Sequence, residues 1–327
     1  MCTRVVYLGV DDRIVTGRSM DWKTELATNL WALPRGVRRG GLAGPGSIEW
    51  TAKYGSLVAT AYDVCTTDGA NEAGLAANLL WLAESRYPDR DAGGPAISLS
   101  LWAQYVLDNF ATVAEAVKAL TLTPLRIATA EVPGEDRLAT LHLAISDASG
   151  DSAIVEYVDG RQTIHHDRRY QVMTNSPIFE KQLAINEYWR EIGGTVMLPG
   201  TNRAADRFVR ASFYIDAIPK TEDQRLAVAG VFSVLRNVSV PYGISTPNEP
   251  NISTTRWRTV FDHKARRYFF ESALSPNTFW VEMKKLDFGA GAPTRRLRLG
   301  DEEMMVYAGD ASGAFEEAAP FAFLAVA

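Results

Sequence analysis

The first twenty-two residues, MCTRVVYLGVDDRIVTGRSMDW, constrain this chain more than any other stretch. Thr3 to Val10 and Ile14 to Ser19 are rich in β-branched and apolar residues, with Asp11-Asp12 between them as a turn signal. The pattern predicts a β-hairpin that begins at the second residue. Methionine is commonly removed before a small residue, and removal of Met1 leaves Cys2 with a thiol and a free α-amine. The ordinary pKa values of such groups, about 8.5 and about 7.7–8.0, let the amine take up the thiol proton near neutral pH. One residue then supplies both the nucleophile and the base that covalent hydrolysis needs.

The hairpin also brings charged groups toward Cys2. For a two-residue loop at 11 and 12, paired residue numbers sum to 11 + 12 = 23, which sets Cys2 across from Asp21, with Arg18 slightly earlier on the same strand. Arg18 and Asp21 are three apart, so a regular strand turns them to opposite faces. The strand must end or bulge near Ser19 if both are to reach Cys2. A guanidinium beside a thiol favours the thiolate, and a carboxylate can hold an ammonium or orient an amine.

With 327 residues, 46% of them hydrophobic, the chain can bury one large core or two modest ones. A net charge of -5 without a basic block excludes the electrostatic footprint of a nucleic-acid binder. No run of about 18 apolar residues marks a membrane helix. Two cysteines, Cys2 and Cys65, do not make a disulfide framework, and Cys65 reads as a small buried hydrophobe. His142, His165, His166 and His263 lack metal-ligand spacing, and adjacent His165 and His166 on a strand face opposite ways. No metal is expected. No signal peptide precedes Cys2 in the sequence as given, but Met1 can stand where a leader was removed, so the compartment stays open.

Asn29–Pro34 and Ile48–Tyr62 read as strands, separated by a glycine-rich loop at 35–46. Asp68–Gly74 is turn-rich and leads into an apolar strand at 75–82. Ile97–Phe110 fits an amphipathic helix, and Thr112-Val-Ala-Glu115 is a capping box for a second helix to Leu120. A meander follows at 138–146, 153–159, 161–166 and 170–174, ending in Thr174-Asn-Ser-Pro177. Helices are predicted at 179–192, 203–215 and 221–237, and strands at 255–262, 267–272 and 278–283. Pro247–Thr254 is a loop that can border a pocket, and Arg203 and Arg210 read as solvated. No repeat or long linker divides the chain, so 1–327 is expected to be one domain.

MCTR followed by GRSMDW resembles the opening of the choloylglycine hydrolase family, which includes penicillin V acylases and bile salt hydrolases. Further matches are Gly69–Leu75 (G-x-N-E-x-G-L), Thr174–Pro177 (T-N-S-P), Asp206–Arg210 (near S-R-F-x-R) and Val238–Gly243 (V-S-V-P-x-G). The resemblance covers nearly the whole chain. It implies an α+β N-terminal nucleophile hydrolase fold, an αββα sandwich of two antiparallel sheets between helical layers. It implies Cys2 as nucleophile, with Arg18, Asp21, Asn175 and Arg207 as the other catalytic positions. Asn175 and the backbone near Trp81 would hold the oxyanion.

Trp81 stands where bile salt hydrolases carry an Asn. With Trp22, it resembles the tryptophan-lined substrate pocket of the Gram-negative penicillin V acylase branch. The short gap of 207 − 175 = 32 residues points the same way, since bile salt hydrolases carry there an insertion that helps tetramer assembly. The implied reaction is cleavage of a linear amide in a penicillin V-type side chain or a long-chain acyl-homoserine lactone, without cofactor or metal. Bile salt amidase activity is one alternative, and a catalytically silent binding protein is another. The resemblance further implies a small-molecule amide partner, a homo-oligomer of two or four copies, and a bacterial protein. That protein would be periplasmic if a leader was removed and cytoplasmic otherwise.

Overall fold

The computed structural model describes residues 2–193, 196–245, 253–300 and 306–326. Among these, seven strands form one sheet in the spatial order Val172–Met173, Cys2–Leu8, Ile14–Trp22, Thr254–Asp262, Arg267–Ser272, Thr278–Glu282 and Gly309–Asp310. Nine form a second sheet in the order Arg161–His166, Ser152–Val158, Leu141–Ser146, Ala76–Trp81, Cys65–Asn71, Ser56–Ala61, Leu30–Leu33, Arg295–Leu297 and Glu316–Glu317. Within these two sheets every pairing is antiparallel except that of the last two strands of the first.

Helices α1 (Trp102–Asn109) and α2 (Val113–Leu122) cover the second sheet. Helices α3 (Phe179–Ile192), α4 (Ala204–Ala217) and α5 (Gln224–Asn237) form the layer beside the first. The layers are therefore αββα, as expected. At α2, Thr112 Oγ1 accepts from the Glu115 N–H at 3.2 Å, while the Glu115 carboxylate reaches back to the Ala111 N–H at 2.9 Å. At α5 the cap is Asp223 rather than Thr221, accepting from the N–H groups of Arg225 and Leu226. The expected helix at 97–110 is a short strand, Ala96–Ser98, and one 3₁₀ turn before α1. Gly17 lets α5 lie close on the hairpin that carries Cys2, since a Cβ there would come within 2.5 Å of Val231 Cγ1.

The hairpin forms one residue out of the expected register. Cys2 pairs with Met20 and Leu8 with Ile14, so the sums are 2 + 20 = 8 + 14 = 22. Its loop is Gly9–Arg13, closed by Gly9 N–H to Arg13 O at 2.9 Å and Arg13 N–H to Val10 O at 3.0 Å. Asp11 and Asp12 take left-handed φ values of 50° and 57°, which short polar side chains tolerate. The strand neither ends nor bulges at Ser19 but runs unbroken to Trp22, and the irregularity lies in its neighbour, between Thr255 and Trp257.

Other expectations change, and the loop expected at 35–46 contains a short strand, Arg38–Gly40, paired with Glu49–Thr51. Asp68–Asn71 is strand, and the turn is confined to the residues after it. Arg210 is not solvated; it is buried, donating to the carbonyls of Pro199 at 2.7 Å and Thr201 at 2.9 Å. The proposed pocket-border loop at 247–254 lies outside the described residues up to position 252.

Polar side chains join the two sheets. Arg4 donates to Ser152 Oγ and Ile145 O, each at 3.0 Å. Thr16 Oγ1 lies 2.8 Å from both Ser146 Oγ and His263 Nε2. His263 Nδ1 is 2.8 Å from Gly74 O; its proton points there, so Nε2 accepts from Thr16. The Tyr268 hydroxyl donates to Asp68. Burial pulls the His263 pKa down to about 4, so the ring is neutral near pH 7.

Candidate active site

Alternation along the two hairpin strands sorts the residues around Cys2. Its side chain shares the inter-sheet face with Arg18 and Met20, while Asp21 turns to the helix side. Arg18 is fully buried, and its Nη2 lies 3.5 Å from Cys2 Sγ, 3.3 Å from Met20 Sδ and 3.0 Å from Leu79 O. Nη1 donates to Thr67 O at 3.3 Å and lies 3.7 Å from Asp68 Oδ2. The guanidinium also sits 4.8 Å from the centre of the Trp257 ring. Asp68 is itself held by Tyr268 and by Asn78 Nδ2, the latter at 2.6 Å.

Asn175 and Arg207 hold the backbone of Cys2. The Cys2 N–H donates to Asn175 Oδ1 at 2.7 Å, and Arg207 Nη2 donates to the same oxygen at 2.6 Å. Arg207 Nη1 donates to Cys2 O at 2.5 Å and Thr3 Oγ1 at 2.6 Å. Burial lowers the Arg207 pKa, and the nearby Asp21 and Cys2 oppose that fall. Asp21 Oδ2 stands 3.9 Å from Arg207 Nη1, and Oδ1 accepts from Thr255 Oγ1 at 2.7 Å. Asp21 thus comes to the site from the far side of its strand, through the backbone edge and not through the thiol.

Asn175 Nδ2 donates to Trp81 O at 2.6 Å. Of the N–H groups just after Trp81, that of Leu82 is spent on Thr140 O at 3.0 Å and that of Ala83 on Ser176 Oγ at 3.3 Å. Behind Asn175, Thr174 Oγ1 donates to Gln182 Oε1 at 2.7 Å and Thr174 O lies 3.0 Å from His142 Nε2. Glu156 meets the other side of that ring at 3.1 Å and accepts from the Phe179 N–H at the start of α3. Burial opposes ionisation of Glu156, but hydrogen bonds from His142, His165 and that N–H bring its pKa down to about 2.

Cys2 opens onto an apolar cleft. Trp22 and Trp81 line it with ring centres 5.5 Å apart, and Trp22 Nε1 donates to the Tyr62 hydroxyl at 3.0 Å. Met20, Leu26, Val132 and Leu141 add to the walls. Arg137 lies 4.3 Å from the Trp81 ring centre and 5.3 Å from that of Trp22. Its Nε donates to Glu135 Oε2 at 2.5 Å, and Lys23 Nζ approaches that oxygen at 3.1 Å. Cys65 is not the buried core residue expected; it is half-buried on the cleft wall, and burial pushes its thiol up to about 12 against a smaller pull from Arg18. His165 and His166 face opposite ways, toward Glu156 and Asp151. Among the described residues no cluster of three or more His, Cys, Asp or Glu side chains could hold a metal ion, and no helix is long and apolar enough to cross a membrane.

Sequence reasoning missed Asp68, Thr255 and Glu156, which orient the groups around Cys2. Asp68 was hidden by the turn chemistry of Gly69 and Asn71, though its place directly before the G-x-N-E-x-G-L segment was a signal. Thr255 and Glu156 carry no local mark.

The profile of linear amide C–N hydrolases, choloylglycine hydrolase family, matches residues 2–296. A penicillin V acylase of Pectobacterium atrosepticum is 56% identical, over 98% of this chain and 92% of its own. The solved structure of penicillin V acylase from Agrobacterium tumefaciens is 61% identical, with a TM-score of 0.92 over 99% of this chain and 100% of that one. A bile salt hydrolase/transferase of Clostridium perfringens is more distant, 27% identical over 87% and 93%. A solved conjugated bile acid hydrolase from the same organism has a TM-score of 0.78 at 23% identity, a likeness of fold alone. The chain is an amide hydrolase and belongs to the choloylglycine hydrolase family of linear amide C–N hydrolases.

Proposed function

We propose that the chain, as one domain over residues 1–327, cleaves a linear amide through the thiolate of Cys2 once Met1 is removed, with an apolar acyl group lying against the wall that Trp22 and Trp81 form together. The single observation that carries this reading is the setting of Cys2. Its thiol faces Arg18 and an apolar cleft, while its backbone nitrogen is held at 2.7 Å by Asn175. In this reading Sγ attacks the amide carbon and its proton passes to the α-amine. Asn175 Nδ2, which among the described residues bonds only Trp81 O, would turn its second N–H to the developing oxyanion and, with the backbone at Trp81, stabilise the tetrahedral intermediate. Its C–N bond breaks as the ammonium returns the proton to the leaving amine. Water then attacks the thioester, the amine takes a proton from it, and the acid leaves with the thiolate restored.

Arg18 stabilises the thiolate. Arg207 stays charged, so it fixes the Cys2 backbone and does not transfer protons. Asp21 orients the amine through Arg207 and the strand edge. The apolar cleft and the two acylase relatives favour the phenoxyacetyl group of penicillin V, or the chain of a long acyl-homoserine lactone, over a conjugated bile acid. No metal or organic cofactor enters any step. Assembly into two or four copies, and a periplasmic place for a chain made with a leader, belong to the same reading.

Intact mass before and after iodoacetamide, with penicillin V hydrolysis by the natural chain and Cys2→Ser, tests the mechanism. The expected result is a mass without Met1, one fast thiol and an inactive variant. Full amidase activity with Met1 retained refutes it. A free Cys2 without penicillin V turnover moves the substrate to acyl-homoserine lactones or bile acid amides.

A further inference from the structure

The family profile ends at residue 296, yet the wall of the cleft extends to Leu324. Beyond the last strand of the second sheet the chain runs back across the α1 side. The Ala318 N–H donates to Thr294 O at 3.0 Å, and Phe321 packs 5.2 Å from the Trp31 ring centre. Phe323 packs 4.6 Å from Phe321, and the Val326 N–H donates to Leu42 O at 2.8 Å.

Leu324 is fixed at three points between them. Its carbonyl accepts from Ser98 Oγ at 2.6 Å and Ser100 Oγ at 2.9 Å, and its N–H donates to Val64 O at 3.0 Å. All four residues line the same cleft as Cys2. Arg18, beside the thiol, donates to Thr67 O. Val64 and Thr67 are three residues apart, about 10 Å along an extended chain. Leu324 therefore meets the cleft well beyond the nucleophile.

We propose that Leu324 is a specificity-determining residue: presented by the 318–326 segment, it closes the far end of the acyl cleft and sets the length of acyl chain the enzyme takes. This rests on the reading of the cleft as the acyl site. Two serine hydroxyls on one backbone carbonyl hold the leucine in place, so the stop is rigid. Its side chain can change with no alteration at Cys2, Arg18 or Asn175.

The test compares the natural chain, Leu324→Ala and Leu324→Trp on linear N-acyl-homoserine lactones from butanoyl to hexadecanoyl, with penicillin V alongside. Protection of Cys2 from iodoacetamide by the free fatty acids of the same lengths is measured in parallel. Leu324→Ala is expected to shift the optimum of kcat/KM to longer chains, gaining about fourfold for each added methylene that fits. Leu324→Trp is expected to lose the longest chains and keep the shortest. The double variant Ser98→Ala with Ser100→Ala keeps the leucine but frees its backbone, and broadens the profile. The proposal is overturned if neither the hydrolysis nor the protection profile moves in any variant. If the natural chain hydrolyses none of these amides, the functional reading fails, while the protection series still decides the role of Leu324.

Discussion

Asn175 does three things at once, and two substitutions separate them. Its Oδ1 accepts from the Cys2 nitrogen and from Arg207, while its Nδ2 faces Trp81 O and the proposed oxyanion position. Asn175→Ala removes acceptor and donor together. The Cys2 N–H and one Arg207 N–H are then left buried without an acceptor, at about 1–3 kcal/mol each. Arg207 keeps Cys2 O, Thr3 Oγ1 and Asn202 O, so the expected loss of stability is in the lower half, about 2–4 kcal/mol.

Asn175→Asp keeps the shape and both accepted bonds, but it sets a carboxylate oxygen against Trp81 O and offers no donor. Both variants should lose about 10²–10³ in kcat, the usual effect of removing one oxyanion donor. They should differ in alkylation: the Asp variant keeps the Cys2 backbone anchored and reacts with iodoacetamide nearly as the natural chain does, whereas the Ala variant is slowed. Steady-state kinetics on penicillin V, timed alkylation and urea unfolding of the three proteins give all the quantities. A kcat for the Asp variant within about tenfold of the natural value would show that the Asn175 amide does not stabilise the oxyanion.

Two further outcomes follow from buried charge. Arg18→Met leaves the buried carboxylate of Asp68 without its cation, and urea unfolding should show a loss of about 3–5 kcal/mol, together with slower Cys2 alkylation at neutral pH. An unchanged alkylation rate would remove Arg18 from thiolate support. His263 is held near a pKa of about 4 against an ordinary 6.5, so between those values the unfolded chain binds the proton and the folded chain resists it. Stability should be full above about pH 6.5, fall by roughly 3 kcal/mol as the pH drops to about 4 and lose no more from this group below that. His263→Gln should flatten that part of the urea-midpoint profile, and an unaltered slope would rule the ring out as its source.

Much of the frame was legible because it is written in local signals. The Thr112 cap, the bounds 179–192 of α3 and the strands 161–166 and 267–272 depend on neighbours a few residues away, and all appear as read. The hairpin itself was also legible, but its register was not. Two aspartates can make a two-residue turn or sit within a longer loop, and only the packing of Cys2 and Arg18 against the second sheet chooses. Trp22 and Trp81 were found through resemblance and do meet. Leu324, Arg137 and Glu156 could not be found so, because each reaches the cleft or, through His142, the strand end before Asn175 from a distant segment whose own pattern is ordinary. Arg210 shows the same limit: a long cation on an amphipathic helix reads as solvated until two carbonyls are brought to it.

The polar ties between the sheets carry a consequence for change. An oily contact between two sheets tolerates sliding, since one apolar neighbour replaces another at little loss. Here a shift by a single residue would strand Arg4, Thr16, Arg18, Asp68 and His263 at once, each of them buried. The alignment of the strand that carries Cys2 with the wall that faces it therefore has one setting. Helices and tail can drift in sequence elsewhere than at Arg207 and Leu324, around a proposed reaction centre whose two halves stay in step.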